Sequence, residues 1–421
     1  MERYRTRAAC EPSRLAPPMA LTMALMMLLA ALLAPSPAQA NARDQAQRIH
    51  NRLTGTPPDA ALLDTMATLV EAGQMREAAL LATEQDAFYN VVLKNFATPW
   101  TNREGDIFAP LNDYTATVIG LVIDDADFRQ VLTDDVVYVG DPGELSALGF
   151  HDIPAVSASN NQHYAALERD NVPLQQVLIS RSQSSLYDLP SEATAGVMTS
   201  RAAANAFFYA GTNRAMLRFT LMNHLCHDLE QLKDGTRPAD RIRQDITRSP
   251  GGDSRIFINN CVTCHAGMDP LAQAFAYYQW DGAENAPTGQ IRYNREGQND
   301  PVTGTRVQPK YLINANNFIH GFVTEDDSWD NYWREGQNAV LGWDGSLPGS
   351  GAGAKSLGME LANSEAFATC QAEKTFRAVC LRRPASSEDI SQVASMTGNF
   401  RNNGHQLRDL FVDAAVYCRG D

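Results

Sequence analysis

Residues 255–281 read RIFINNCVTCHAGMDPLAQAFAYYQWD, and within them Cys261, Cys264 and His265 form C-x-x-C-H. The two-residue gap puts both thiols on one turn of backbone, and the histidine follows at once. This spacing is the attachment signature of a c-type haem: two thioethers to the porphyrin edge and an imidazole to the iron from one face. Half of a zinc site is the competing reading. It needs two more Cys or His at comparable spacing, and no second C-x-x-C occurs in the chain. Cys261, Cys264 and His265 are therefore the expected covalent and proximal contacts of a single haem c.

Haem c is expected only in an exported chain. Residues 1–18 carry Arg3, Arg5, Arg7 and Arg14, an apolar run follows from Met19 to Ala34, and Ala38-Gln39-Ala40 is a small-residue cleavage signal. The run falls short of the 20 or so residues a spanning helix needs. Cleavage is expected after Ala40, leaving a periplasmic or secreted protein with no membrane span. Asp and Glu (49) outnumber Lys and Arg (35) for a net charge of −14. That argues against nucleic acid and anionic membranes as partners and is compatible with a basic redox partner protein.

The remaining ~380 residues exceed what one core usually holds. The expected organisation is a signal peptide (1–40), a helical N-terminal domain (41–200) and a cytochrome-c-like haem domain with a C-terminal helical part (201–421). The fold class is mostly α, a helical N-terminal region packed on a cytochrome-c-like helical domain with long loops. Besides the motif pair, the processed chain keeps Cys226, Cys370, Cys380 and Cys418. An even remainder in an oxidising compartment predicts two disulfides. Cys370 and Cys380 fall in one helical stretch, where ten residues separate them by roughly 15 Å. A disulfide needs Cα atoms closer than about 7 Å. Cys226 is therefore expected to bond one of them and Cys418 the other.

Along the chain, Pro57-Pro58-Asp59 starts a helix whose apolar spacing continues to Gly73. Helices are expected over 127–140 and about 214–232, and from Asp269-Pro270 through PLAQAFAYYQWD. Trp329 and Trp333 are expected on one helix face, followed by a helix over 360–382, one after Pro384 and a last one over about 406–417. His50 is expected to be solvated, and His151 and His163 to be surface or hydrogen-bonded residues. His224 and His227 share a spacing that a metal could use, although a partly buried helix face is the favoured reading. The acids of 324–336 lack the ligand spacing of a calcium loop. The loop 233–254 holds Arg237, Arg241, Arg243 and Arg248, which suit a haem propionate as well as they suit solvent.

The sixth iron position decides the function. A second strong ligand makes an electron carrier, and an open position allows small-molecule or peroxide chemistry. Met359, between a Gly-rich loop and a C-terminal helix, is the first candidate. His320, in NANNFIHGFV, is the alternative and would give a bis-histidine haem. Met268 is too close to His265 to reach the opposite face, and Met396 fits a core helix.

LTGTPP at 53–58, GVMT at 196–199, GTNRA…NHLC at 211–226, CVTCHAGMDPLAQAF at 261–275 and SEAFATC…AVCLRRPASSED at 364–389 occur in that order. Together they resemble the planctomycete-type family of secreted multidomain proteins with a cytochrome-c-like domain. Met268, Asp269, Pro270 and Leu271 beside the haem motif are the most specific part. Ala272-Gln273 stands where that family has glycine, and Leu381-Arg382-Arg383-Pro384 replaces its Gly-Arg. The resemblance implies a secreted mono-haem c protein, with haem contacts at Cys261, Cys264 and His265. Electron transfer is the favoured function. The alternatives are a peroxidase-like haem enzyme with an open distal site and a structural subunit of a secreted complex in which haem c staples the fold.

Overall fold

Pro57, Pro58 and Asp59 build the first helical hairpin. Helix α1 spans Ala42–Thr54. The Asp59 carboxylate then accepts from the Leu62 backbone N–H and starts α2, Ala60–Glu71. Gly73, at φ +78°, turns the chain into α3, Met75–Thr83. The structure, a computed structural model, describes residues 41–284 and 286–420. The expected leader, with Cys10, lies outside the described residues.

Helix α4, Asp113–Ile123, is buried on nearly every side. The segment after it corrects the expectation of a helix over 127–140. Only Gln130–Thr133 is helical, and Val137–Gly140 forms strand β1, antiparallel to β2, Leu178–Arg181. The β-branched valines of β1 fit a pleated buried surface better than a helix, but their partner lies some forty residues downstream. His163 sits beside this pair: its Nε2 accepts from Gly140 N–H at 2.9 Å and its Nδ1 faces the Pro154 carbonyl at 2.7 Å. His50 is buried, not solvated, with Nδ1 3.0 Å from the Thr56 carbonyl. Burial lowers its pKa.

Helix α5 spans Arg201–Phe207, and α6 spans Arg214–Thr220, prolonged by a π turn over Leu221–Leu225. Cys226 adopts left-handed φ/ψ and ends the helix there, short of the expected Leu232. Ser254–Ala272 then runs on as α-helix, a π turn over Phe257–Cys261, and α7, Val262–Ala272. Asp269-Pro270 therefore does not start a new helix. Strands β3 (Tyr278–Asp281) and β4 (Gln290–Tyr293) follow, where a helix was expected to continue through Trp280. Trp329 lies in β5, Ser328–Asp330, paired with β6, Ser350–Ala352, and Trp333 in a 3₁₀ turn. Both indoles are buried, but not on a shared helix face.

The expected helix over 360–382 is two. Helix α8 is Gly353–Ala362 and α9 is Glu365–Cys380, with Ser364 capping α9 by accepting from Phe367 N–H. Helix α10, Ser387–Asn402, starts with a capping box between Ser386 and Asp389, and α11 is Leu407–Tyr417.

The C-terminal helices pack back on the first ones. Phe411 of α11 meets Phe88 edge-to-face at 5.3 Å and Phe96 at 5.1 Å. Arg76 of α3 bridges Asp409 and Asp413 of α11. One buried core runs from Ile49 of α1 through Leu271 of α7 to Phe411, across residue 200, and Ala42–Gly420 form a single compact unit. The molecule is mostly helical with three two-stranded sheets among the described residues. None of its described helices is long and apolar enough to cross a membrane. The disulfides are Cys226–Cys370 and Cys380–Cys418, one of the two expected pairings.

Candidate haem-attachment site

Burial changes abruptly along the motif helix. Residues 254–260 are largely exposed, 261–265 are half-buried and 266–272 are buried throughout. The buried half is the anchor. A Cβ on Gly267 would collide with the ring of Trp333, which has no exposed surface. Alanine normally stabilises a helix by about 1 kcal/mol over glycine. Overpacking against a rigid indole costs about 1–3 kcal/mol, so Gly267→Ala is expected to lower the urea midpoint. An unchanged or raised midpoint would mean that the indole gives way.

His265 and Asp269 stand one helical turn apart, and His265 Nδ1 lies 3.0 Å from Asp269 Oδ1. Arg214 of α6 donates to the same carboxylate through Nε at 2.6 Å and Nη2 at 2.8 Å. Its guanidinium also pairs with Asp245 at 2.5 Å, and the Arg243 N–H donates to Asp269 at 3.2 Å. Burial alone would raise the Asp269 pKa. The Arg214 and Arg243 guanidiniums and His265 outweigh it and hold the carboxyl well below the usual range. The imidazole is thus oriented from behind, and its Nε2 makes no hydrogen bond among the described residues. An acceptor on the far nitrogen fixes the ring and raises its basicity as a metal ligand.

Cys261 and Cys264 are both free and half-buried, while the other four described cysteines are paired. Cys264 Sγ sits 3.7 Å from the Leu229 carbonyl, and burial raises its thiol pKa. Two exposed apolar side chains precede them, Ile256 at 42% and Ile258 at 59%, among exposed Arg255, Asn259 and Asn260. Two unpaired thiols and a tethered imidazole with a free nitrogen fit a covalently held haem. A closed zinc site fits poorly, because among the described residues no three His, Cys, Asp or Glu gather to hold an ion.

The other metal candidates make contacts of their own. His224 is buried against the Tyr114 hydroxyl at 2.8 Å, and burial, with Lys374 nearby, pushes its pKa well below the ordinary value. His227 lies beyond the helix end, with Nδ1 2.6 Å from the Leu225 carbonyl. In 324–336 Asp326 accepts from Ser328 N–H, while Asp330 pairs with Arg241 and Glu335 with Arg237.

Among the loop arginines, Arg237 pairs with Glu335, Arg241 with Asp330, and Arg243 donates to Thr212. Arg248 is the one with neither an ion pair nor a bond to a side chain; it donates to the Ile246 and Ile242 carbonyls. Its guanidinium stacks 4.6 Å from the Phe257 ring, on the motif segment, and 4.2 Å from Phe318. Phe318 in turn meets His320 at 5.7 Å. His320 is exposed, on a loop pinned to 242–244 by backbone bonds from Phe318 and Phe322. Met359 is 43% exposed on α8. That helix packs chiefly on 130–133, 191–193 and the 273–275 turn.

Asp269-Pro270 reads in the sequence as a helix start, with nothing that links it to Arg214 or Asp245. The i, i+4 spacing of His265 and Asp269 was the available signal; Arg214, 55 residues upstream, had none. Compared with protein-family models, curated proteins and solved structures, the chain matches none.

Proposed function

We propose that this protein is a secreted mono-haem c-type protein that transfers electrons to or from a basic redox partner. Cys261 and Cys264 would hold the haem by thioethers, and His265 Nε2 would be the proximal ligand. The observation that carries the reading is the pair of free thiols beside a histidine whose other nitrogen is already held by Asp269. When bound, a haem c supplies one-electron redox chemistry at its iron. Asp269 keeps a hydrogen-bond acceptor on His265 Nδ1, and Arg214 and Asp245 hold that carboxylate in place. Met359 and His320 are the candidates for the sixth position, and the stack through Phe257, Arg248 and Phe318 favours His320.

A second reading, a peroxidase-like enzyme with an open sixth position, gains support from the buried carboxylate behind His265, since a more basic proximal ligand suits an iron that activates small molecules. The resemblance to the planctomycete-type secreted family supports the haem and not a choice between these functions.

The test is expression of the full chain with a haem c maturation system. Haem is expected to stay with the polypeptide in a denaturing gel, at one per chain by pyridine haemochrome. The Cys261→Ala/Cys264→Ala variant is expected to lose it while keeping its far-UV spectrum. A wild-type chain without covalent haem would overturn the proposal. A low-spin ferric spectrum indifferent to cyanide supports the carrier, and a high-spin spectrum that shifts with cyanide or peroxide supports the enzyme. His320→Ala and Met359→Ala then identify the sixth ligand by whichever changes the spectrum.

A further inference from the structure

The last turns of α9 face a cavity of about 710 Å3. Lys374, Arg377, Arg382 and Arg383 line it, across from Trp100 and Met222, and none of its lining residues is a carboxylate. The concentration of positive charge runs against the chain's net charge of −14. Arg382 is neutralised by Asp389. Arg377 and Arg383 make no hydrogen bond or ion pair among the described residues. Lys374 reaches the Asn223 carbonyl at 2.5 Å and lies 3.1 Å from the centre of the Trp100 ring, so its ammonium has an acceptor but no counter-charge. Burial, with Arg377 beside it, pulls the Lys374 pKa well below its ordinary value.

Two local features hold this geometry. Disulfide Cys226–Cys370 ties the end of α6 to α9, and Cys226 also lines the cavity. Leu381, at φ +55°, takes the left-handed turn that carries the chain from α9 to Arg382 and Arg383. That conformation costs a non-glycine residue about 1–2 kcal/mol. The negative end of the α9 dipole accounts for part of the charge, but it amounts to about half an elementary charge. The Arg377 and Arg383 guanidiniums, with no carboxylate partner, exceed it. Lys374 is half-buried while Arg377 and Arg383 are exposed and open to a ligand, and a guanidinium fork matches the oxygens of phosphate and carboxylate groups.

We propose that this cavity is a binding site for a small oxyanion, a solute bearing phosphate or carboxylate groups, held between the Lys374 ammonium and the Arg377 and Arg383 guanidiniums. The site does not depend on haem, and its test is read on the full chain with or without it. Thermal melts and calorimetric titrations with sodium phosphate and with sodium citrate are compared with sodium chloride at matched ionic strength. Saturable binding and a raised midpoint with phosphate, citrate or both are expected, and whichever probe works identifies the headgroup. Arg377→Gln/Arg383→Gln removes exposed side chains and is expected to keep the fold while weakening binding by at least roughly ten-fold. Lys374→Met is a second probe of the same site. A midpoint that follows only ionic strength would overturn the proposal, and so would a double arginine variant that binds as tightly as wild type.

Discussion

Asp269→Ala is expected to lower the stability of the folded chain by about 3–5 kcal/mol, the usual result of removing one partner from a buried ion pair. The carboxylate has no exposed side-chain surface, and Arg214 and Asp245 beside it are only 17% and 8% exposed. Without Asp269, Arg214 keeps Asp245, but buried Arg243 loses the negative charge that supports it most and His265 loses the group that orients it. Asp269→Asn keeps the shape and part of the hydrogen bonding, so its loss is expected to be smaller. Urea denaturation monitored by far-UV circular dichroism measures both, and a loss below about 1 kcal/mol for the alanine variant would show that the network relaxes easily.

The same residue predicts a pH dependence. An unfolded aspartate titrates near 3.9, and Asp269 in the folded protein titrates well below that. The unfolded chain therefore takes up this proton first as the pH falls. The stabilisation from Asp269 is complete above about pH 5 and is lost as the pH drops through the folded-state value. Asp269→Asn has no such proton to bind, so its stability is expected to fall less steeply between pH 5 and acid unfolding.

These expectations mark where the sequence was informative. C-x-x-C-H is a local signal, carried by three side chains on one turn, and the structure leaves its two thiols unpaired. The caps at Asp59 and Ser386 are local in the same way, and the helices they start appear where their residues put them. Asp269-Pro270 looks like another cap, but it is overridden by an arginine from α6. Val137–Gly140 looks helical by its neighbours and becomes a strand because β2 pairs with it. Trp329 and Trp333 carry helical spacing, yet β6 draws the first into a sheet. In each case the deciding partner lies tens of residues away, where periodicity carries no information. The cysteines fall between these cases. Helix geometry forbids a bond between Cys370 and Cys380 and leaves two pairings open. The choice between them depends on α6 ending at Cys226 beside the first turns of α9 and on α11 ending beside its last.

Breaking Cys226–Cys370 is expected to destabilise the protein more than breaking Cys380–Cys418. The first bond spans 144 residues and the second 38. In the chain-entropy account, closing loops of these sizes removes about 5 and about 4 kcal/mol of freedom from the unfolded state. The difference is widened by position, because Cys226 and Cys370 join α6, which braces the haem-motif helix through Arg214, to the C-terminal helices. Cys226→Ser/Cys370→Ser and Cys380→Ser/Cys418→Ser, compared by urea denaturation, measure the order, and an equal or reversed order would contradict this account. The pairing also leaves the two motif thiols unpaired. With both disulfides formed, Cys261 and Cys264 are the free thiols of the described chain. Thiol titration of the folded, haem-free chain should find these two, besides Cys10 where residues 1–40 are retained. If only one member of the first pair is replaced, as in Cys226→Ser, Cys370 is left unpaired and able to capture a motif thiol. That single variant is expected to take up less covalent haem than the double variant, and equal uptake would show that the motif thiols are shielded from exchange without the disulfide.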